Sequence, residues 1–401
     1  MSDLFDPTWR LAELDVAPFG EFAPPITDDA AKAAVWKAYH DGRPTRTPVL
    51  LATNNRVALL DRRIDSGLDF RQVFASPEAM LRSMLLWQYV CRMRYHCFCD
   101  WETALPDRWC VGLHFQNVFE AWFFGCPVDF HDDQVPDTTP ILTDANKRSV
   151  FDVDIDRPFD RDPFRREAEF HETLVEFVRD KTFLDRPIDI QPPSCLGTDG
   201  PLTVAMNVRG PDILMDMVED PAYADELFAF LTDAAIKRRR AFVERYQLTN
   251  PGFDLADDSI ALISTAQYRQ MLLPHHRRWY EAIGSQPGQR GIHLCGDASR
   301  HFRTIRDELG VTTFDTGFPI DFARIRRALG PAVQIQGGVE IGLLMGGSPQ
   351  QVYDRSREIL TSGVRDGGRF IFREANNLPP NVPWVNLAAM YRAAHDFGRF
   401  D

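Results

Sequence analysis

A histidine and a cysteine two residues apart, in Ile292-His293-Leu294-Cys295-Gly296-Asp297, are the residues of this chain whose types and spacing point most directly to chemistry. In a strand, positions i and i+2 face the same side, so His293 and Cys295 present an imidazole and a thiol to one spot. Both are zinc ligands, although the same pair also suits a core histidine beside a buried cysteine. A catalytic zinc takes three protein ligands and keeps a fourth position open; Cys195, Asp315, Glu340 and Glu374 are the candidates for the third. Asp257, Asp258 and Asp315 are the carboxylates expected to do catalytic work, as proton carriers or substrate anchors. Cys91, His96, Cys97 and Cys99 crowd together, but a structural zinc site pairs two separated ligand units, so this cluster reads as packing at a helix end. Ser264-Thr265-Ala266-Gln267 has the pattern of a capping box, and His275-His276-Arg277-Arg278 reads as a solvated helix face.

These residues need elements to position them. Short apolar runs at 47–53, 110–115, 188–191, 252–256, 291–294, 312–314, 333–336 and 369–372 alternate with helical stretches, among them 77–95, 221–246, 265–283, 298–309, 322–329, 349–362 and 385–397. Such alternation means parallel strands joined by crossover helices. Polar residues recur where the runs end: Asn54, Asn55 and Arg56, then Gln116 and Asn117, Asp257 and Asp258, His293 and Cys295, Asp315, Glu340, and finally Arg373 to Asn377. An open sheet gathers its ligand groups at one switch point, whereas a barrel collects them from many strand ends onto one face. The expected fold is therefore α/β, a single (β/α)8 TIM barrel over residues 47–401 with an N-terminal extension at 1–46. An Asp- and Pro-rich stretch without sustained period, at about 127–165, reads as an irregular functional insert. Asn54, Asn55, Arg56, Gln116, Asn117, Arg373, Asn376 and Asn377 are the expected substrate-binding residues.

Composition removes other classes. The 401 residues carry 45 Lys+Arg against 58 Asp+Glu, a net charge of -13, which disfavours the counterion-release binding that nucleic acid requires. No apolar run is long enough to span a bilayer, and the acidic N-terminus lacks the pattern of a secretory signal. The seven cysteines are odd in number and scattered, which suits a reducing, cytoplasmic setting better than a disulfide framework. No G-x-G-x-x-G opens a helix and no phosphate-binding loop is present.

Taken in order, Gly200-Pro201-Leu202-Thr203 through Arg209-Gly210, Glu219-Asp220-Pro221, Asp257-Asp258 with Leu262-Ile263-Ser264, His293-Leu294-Cys295-Gly296-Asp297 and Leu378-Pro379-Pro380-Asn381-Val382-Pro383 resemble the uroporphyrinogen decarboxylase family. Phe124-Gly125-Cys126-Pro127-Val128 and Pro140-Ile141-Leu142 are similar to its N-terminal half. The resemblance implies a (β/α)8 barrel and either of two chemistries. Porphyrinogen decarboxylases carry an M-R-Q-A-G-R motif after the first strand, where this chain reads Ala52-Thr53-Asn54-Asn55-Arg56-Val57, and a His-Gly pair where it reads Ala375-Asn376-Asn377. Relatives that move methyl groups between corrinoid proteins and thiols bind zinc through H-x-C and a late cysteine. His293 and Cys295 match, and Glu374 lies beside the place of the late cysteine, which makes it the favoured third ligand. The resemblance thus implies a methyltransferase with zinc, a corrinoid or small methyl donor and a corrinoid protein as partner. A metal-free decarboxylase or lyase of a small carboxylate and a non-catalytic ligand-binding barrel are the alternatives.

Overall fold

The computed structural model describes residues 2–3, 14–194, 199–249 and 252–400; Cys195, one of the candidate ligands, lies outside them. The strands that carry the site are β1 (Trp109–Val111), β2 (Arg186–Ile190), β3 (Leu255–Ala256), β4 (Arg290–Leu294), β5 (Val311–Thr316), β6 (Gln334–Val339) and β7 (Phe370–Glu374). β3 to β7 form one parallel ladder in chain order, and β1 pairs in parallel with β2. The apolar run expected as the first strand lies along β7: Leu50 donates to the Phe372 carbonyl and Phe372 to that of Pro48, each at 2.9 Å. Asp199, just past β2, bridges in parallel to Ala256 of β3. Among the described residues no ladder joins residues 48–52 to β1.

Helices return the chain between these strands, as crossovers between parallel neighbours must. The helix Phe322–Leu329 buries Phe322, Ile325 and Leu329, and Phe302–Leu309 buries Phe302, Ile305 and Leu309. Both sets follow the spacing of a helix stripe facing a sheet. Arg326, on the same buried face, donates to the carbonyls of Gly330, Val333, Val364 and Arg369. One guanidinium thereby satisfies loop carbonyls that burial would otherwise leave without partners.

Several elements differ from expectation for identifiable reasons. β7 runs on to Glu374, so Arg373 and Glu374 belong to the strand and not to the loop after it. The insert is less irregular than its composition suggests. Val128–Asp129 pairs antiparallel with Asp137–Thr138, and buried Arg209 binds Asp216 at 2.9 Å and the Leu142 carbonyl at 3.2 Å, and also Asp144. Ionic contacts, invisible to periodicity, hold that segment. The expectation of a solvated face at His275 and His276 is corrected: they are 7% and 0% exposed. The cause is the helix's own apolar stripe: Leu273, His275, His276, Trp279, Tyr280 and Ile283 share the buried face at helical spacing, while the neighbouring Arg278 is exposed. Cys91 and Cys99 are buried in the core. The capping box at Ser264 and Gln267 is present. The helix Asp29–His40 docks through Lys32, which donates to the carbonyls of His96 (2.7 Å) and Trp101 (3.0 Å). No helix among the described residues is long and apolar enough to cross a membrane.

A buried carboxyl gives the fold a pH signature. Glu167, on the helix Phe164–Phe177, is 2% exposed, and burial pushes it up to about 8 against the pull of Arg238 and Arg239. Its folded value exceeds its unfolded one, so the folded state holds the extra proton and loses stability as pH rises from about 4.5 to about 8. Glu167→Gln, which cannot ionise, should match wild type closely at pH 5 and exceed it at pH 8 by a few kcal/mol, since each tenfold change in a proton-binding constant is worth about 1.4 kcal/mol. Urea midpoints of the two proteins at both pH values test this; a difference independent of pH would refute it.

Candidate metal centre and surrounding polar site

His293 and Cys295 stand on one face at the end of β4, as the two-residue period requires. The parallel register sets Asp315 of β5 directly beside His293, and His293 Nδ1 lies 2.7 Å from Asp315 Oδ2. Nε2 faces the other way, 3.2 Å from Cys295 Sγ. Asp258, just past β3, accepts from both the backbone N–H (2.6 Å) and the thiol (2.9 Å) of Cys295, and its Oδ1 is 3.9 Å from His293 Nε2. One ligand atom from each of Asp258, His293 and Cys295 lies within 4.8 Å of the others, the only such group of three among the described residues. Nitrogen, sulfur and oxygen donors at this spacing, all half-buried, fit the three-ligand donor set of a zinc ion.

Electrostatics point the same way. Burial pushes the Cys295 thiol far up, and Asp258 beside it adds to the effect, so the sulfur keeps its proton unless a cation offsets the negative charge. Burial alone would lower His293, but the hydrogen bond and charge of Asp315, with Asp258 behind it, raise it overall. Asp315 is held low despite burial by the Arg373 charge and the His293 hydrogen bond. Arg373 donates from Nη1 to both Asp315 oxygens at 3.0 and 3.1 Å and from Nη2 to Glu374 at 3.3 Å.

Glu374 therefore does not join the ligand atoms, contrary to the expectation of it as third ligand. It is completely buried, with Oε1 accepting from the Ala52 N–H at 2.8 Å, and burial raises it to about 7. Successive strand residues face opposite ways; Arg373 reaches Asp315, whereas Glu374 is turned back toward residues 48–52. Glu340 is likewise engaged elsewhere, paired with Arg355 at 2.7 Å. Asp258, expected as a catalytic carboxylate, occupies the ligand position instead.

Asp257 has a different surrounding from its neighbour. It is 0% exposed and its oxygens accept from the N–H groups of Leu202 (3.4 Å) and Thr203 (2.8 Å), the Thr203 hydroxyl (2.8 Å) and His276 Nε2 (2.8 Å). It thus caps the helix Pro201–Arg209, a favourable place for an anion. The approach needs Gly200, because a Cβ there would fall 2.5 Å from three atoms of the Asp257 side chain.

Four expected substrate-binding groups come together. Asn54 Oδ1 accepts from Arg56 N (2.9 Å) and Nε (3.0 Å), and Gln116 Nε2 donates to Asn55 Oδ1 at 2.7 Å. Burial pushes the Arg56 guanidinium down, with the charge of Cys295 pulling the other way. Asn117 is exposed, and Asn376 and Asn377 are half-buried; the Asn376 carbonyl accepts from Arg373. Sequence reasoning missed His114, Asp199, His276 and Tyr268. His114 accepts from Gln116 N at 3.1 Å and is pushed down to about 4 by burial and then Arg56. Asp199 is pushed well up by burial and then by Glu120, Asp258 and Asp257. The Asp-Gly-Pro run after β2 marked the start of a helix but did not identify Asp199 as a neighbour of the cluster.

The family description "Uroporphyrinogen decarboxylase (URO-D)" matches residues 110–397. The chain belongs to the uroporphyrinogen decarboxylase family. Within it, the chain is 30% identical over 206 residues to a methylated-thiol–coenzyme M methyltransferase of Methanosarcina mazei, covering 49% of this chain and 51% of that one. It is 27% identical over 138 residues to a uroporphyrinogen decarboxylase of Pelobacter propionicus, covering 34% and 39%. It is 21% identical over 287 residues to a methylcobamide:CoM methyltransferase of M. mazei, covering 72% and 79%. The chain spans about half the length or less of the first two of these relatives. A solved structure, a methyltransferase from M. mazei, superposes with a TM-score of 0.61 at 18% identity, covering 93% of this chain and 99% of that one. The likeness is one of fold.

Because Asp315 is the larger of the two influences that raise His293, with Asp258 the other, Asp315→Asn should lower its titration in metal-free protein, as burial and Arg373 gain the upper hand. NMR titration of the ring protons checks this; an unchanged value would assign the elevation to another group.

Proposed function

We propose that this member of the uroporphyrinogen decarboxylase family is a methyltransferase on a closed (β/α)8 barrel, passing a methyl group from a corrinoid or small methyl donor to a thiol. The observation that carries this reading is the convergence of Asp258, His293 and Cys295. The names of the methyltransferase relatives support it, as does the lack of the arginine-rich motif of porphyrinogen decarboxylases. In this reading the three residues hold zinc, and a corrinoid protein is the partner.

Transfer forms an S–CH3 bond with the sulfur lone pair and breaks the bond between methyl and donor, whose electron pair stays on the donor. The thiol proton must leave first. A zinc ion held at these residues supplies the positive charge that makes a bound thiol a thiolate at neutral pH. The rest falls to the chain. Asp258 Oδ2 accepts a hydrogen bond from the Cys295 thiol, whose proton must pass on to solvent for sulfur and carboxylate to serve together as anionic ligands. Asp315, itself held by Arg373, binds His293 Nδ1 and so leaves Nε2 to the cluster, as metal-bound imidazoles require. Arg56, held by Asn54, offers its guanidinium to an anionic or polar group of the substrate.

Protein purified without chelator should carry close to one equivalent of zinc by elemental analysis. Cys295→Ala should lose both metal and activity, and Asp258→Asn should weaken binding at least about 10- to 100-fold, the range seen even for groups that only support a ligand. Glu374→Gln should leave zinc content unchanged. Uroporphyrinogen should not be turned over. Wild-type protein with little zinc and a Cys295→Ala variant of undiminished activity would favour the metal-free lyase instead.

A further inference from the structure

The short strand β3 contributes two residues, Leu255 and Ala256, to the ladder with β4, and Ala256 also bridges to Asp199. Beyond that backbone pairing, the turn that follows is held by the side chain of Asp257, with its four hydrogen bonds. Three come from the start of the helix Pro201–Arg209 and the fourth from His276 Nε2, at 2.8 Å.

His276 is completely buried, and its second ring nitrogen, Nδ1, lies 3.2 Å from the hydroxyl of equally buried Tyr268. A carboxylate only accepts, so in the neutral ring Nε2 carries the proton, Nδ1 accepts, and Tyr268 donates. The chain Tyr268–His276–Asp257 thus has one tautomer and one direction.

Eight residues separate the two rings, which in an α-helix would leave them about 80° apart around the axis. The π turn at Tyr268–Leu272 winds in an extra residue, so the same eight span the angle of about seven α-helical steps, within about 20° of a common face. The π turn is therefore what brings Tyr268 onto His276.

We infer that His276 is a positioning residue for the candidate metal centre: with Tyr268 fixing its tautomer, it anchors Asp257 and thereby aims the adjoining Asp258 at Cys295. The inference rests on the proposal that Asp258, His293 and Cys295 hold a metal.

The test uses the full chain, stripped of metal and titrated with Co2+, whose absorption bands report both thiolate ligation and coordination geometry. His276→Ala should bind Co2+ about 10- to 100-fold more weakly than wild type, with shifted bands. His276→Gln, which restores a donor near Nε2, should recover most of that affinity. Tyr268→Phe, which removes one hydroxyl, should weaken binding by a smaller factor while keeping a near-wild-type unfolding midpoint, and it decides the matter together with His276→Gln where His276→Ala does not fold. A purely structural histidine would lower the unfolding midpoint and leave affinity and bands where they were. Wild-type binding with a thiolate band and folded variants of equal affinity would overturn the positioning role while leaving the metal proposal intact. A wild type that forms no cobalt complex would overturn both.

Discussion

The contact that organises the candidate site is the double acceptance by Asp258 of the backbone N–H and the thiol of Cys295. It ties the turn after β3 to the end of β4, and the parallel register from β4 to β5 then brings Asp315 to the far side of His293. A carboxylate this close to a buried thiol disfavours the thiolate: burial and then the Asp258 charge keep the proton on the Cys295 sulfur. A bound cation turns the same proximity into ligation. The arrangement makes most sense as a site whose negative charge is meant to be offset.

Asp257 and Asp258 show how one dipeptide divides its work. Side chains of adjacent residues leave the backbone in different directions, and here one goes into the packed interior between two helices while the other goes toward the strand ends. Asp257 spends all its lone pairs on a helix N-terminus and on His276, so it has none to offer a substrate. Asp258 hydrogen-bonds to Cys295, has His293 3.9 Å away, and is half-buried. Their sequence adjacency gives no hint of this difference, because it depends on Gly200 and Thr203, more than fifty positions away.

Much of the fold was legible. The alternation of apolar runs and amphipathic stretches located the strands that matter, and the helices at 221–246 and 322–329 lie where the sequence places them. His293 and Cys295 follow directly from the two-residue period. The third ligand position was not legible from strand-end position alone: β7 continues two residues past the apolar run, and that parity turns Arg373 toward Asp315 and Glu374 away. His276 was hidden by the adjoining Arg277 and Arg278, which made a solvated face of residues that share a helical stripe with Trp279, Tyr280 and Ile283. The insert was misjudged because Asp144 pairs with Arg209, and Lys147 with Asp216 at 3.0 Å, and charge pairing across sixty or more residues has no local pattern.

A carboxylate beside His293 and Cys295, where methyltransferase relatives carry a second thiolate, alters the character of the centre while keeping its formal charge. One thiolate and one carboxylate still balance a divalent ion, but the oxygen donor is harder and gives less electron density to the metal than sulfur would. The metal in the proposed centre is then a stronger Lewis acid, and an acceptor thiol bound to it is more fully ionised but a poorer nucleophile, because nucleophilicity falls as thiol pKa falls. Such a centre favours reactive methyl donors, from which the methyl group leaves readily, over inert ones. The supporting shell works in the opposite direction: Asp315 raises the basicity of His293 and returns part of the electron density that the missing sulfur would have given. Arg373, by holding Asp315 as a carboxylate, makes that return possible.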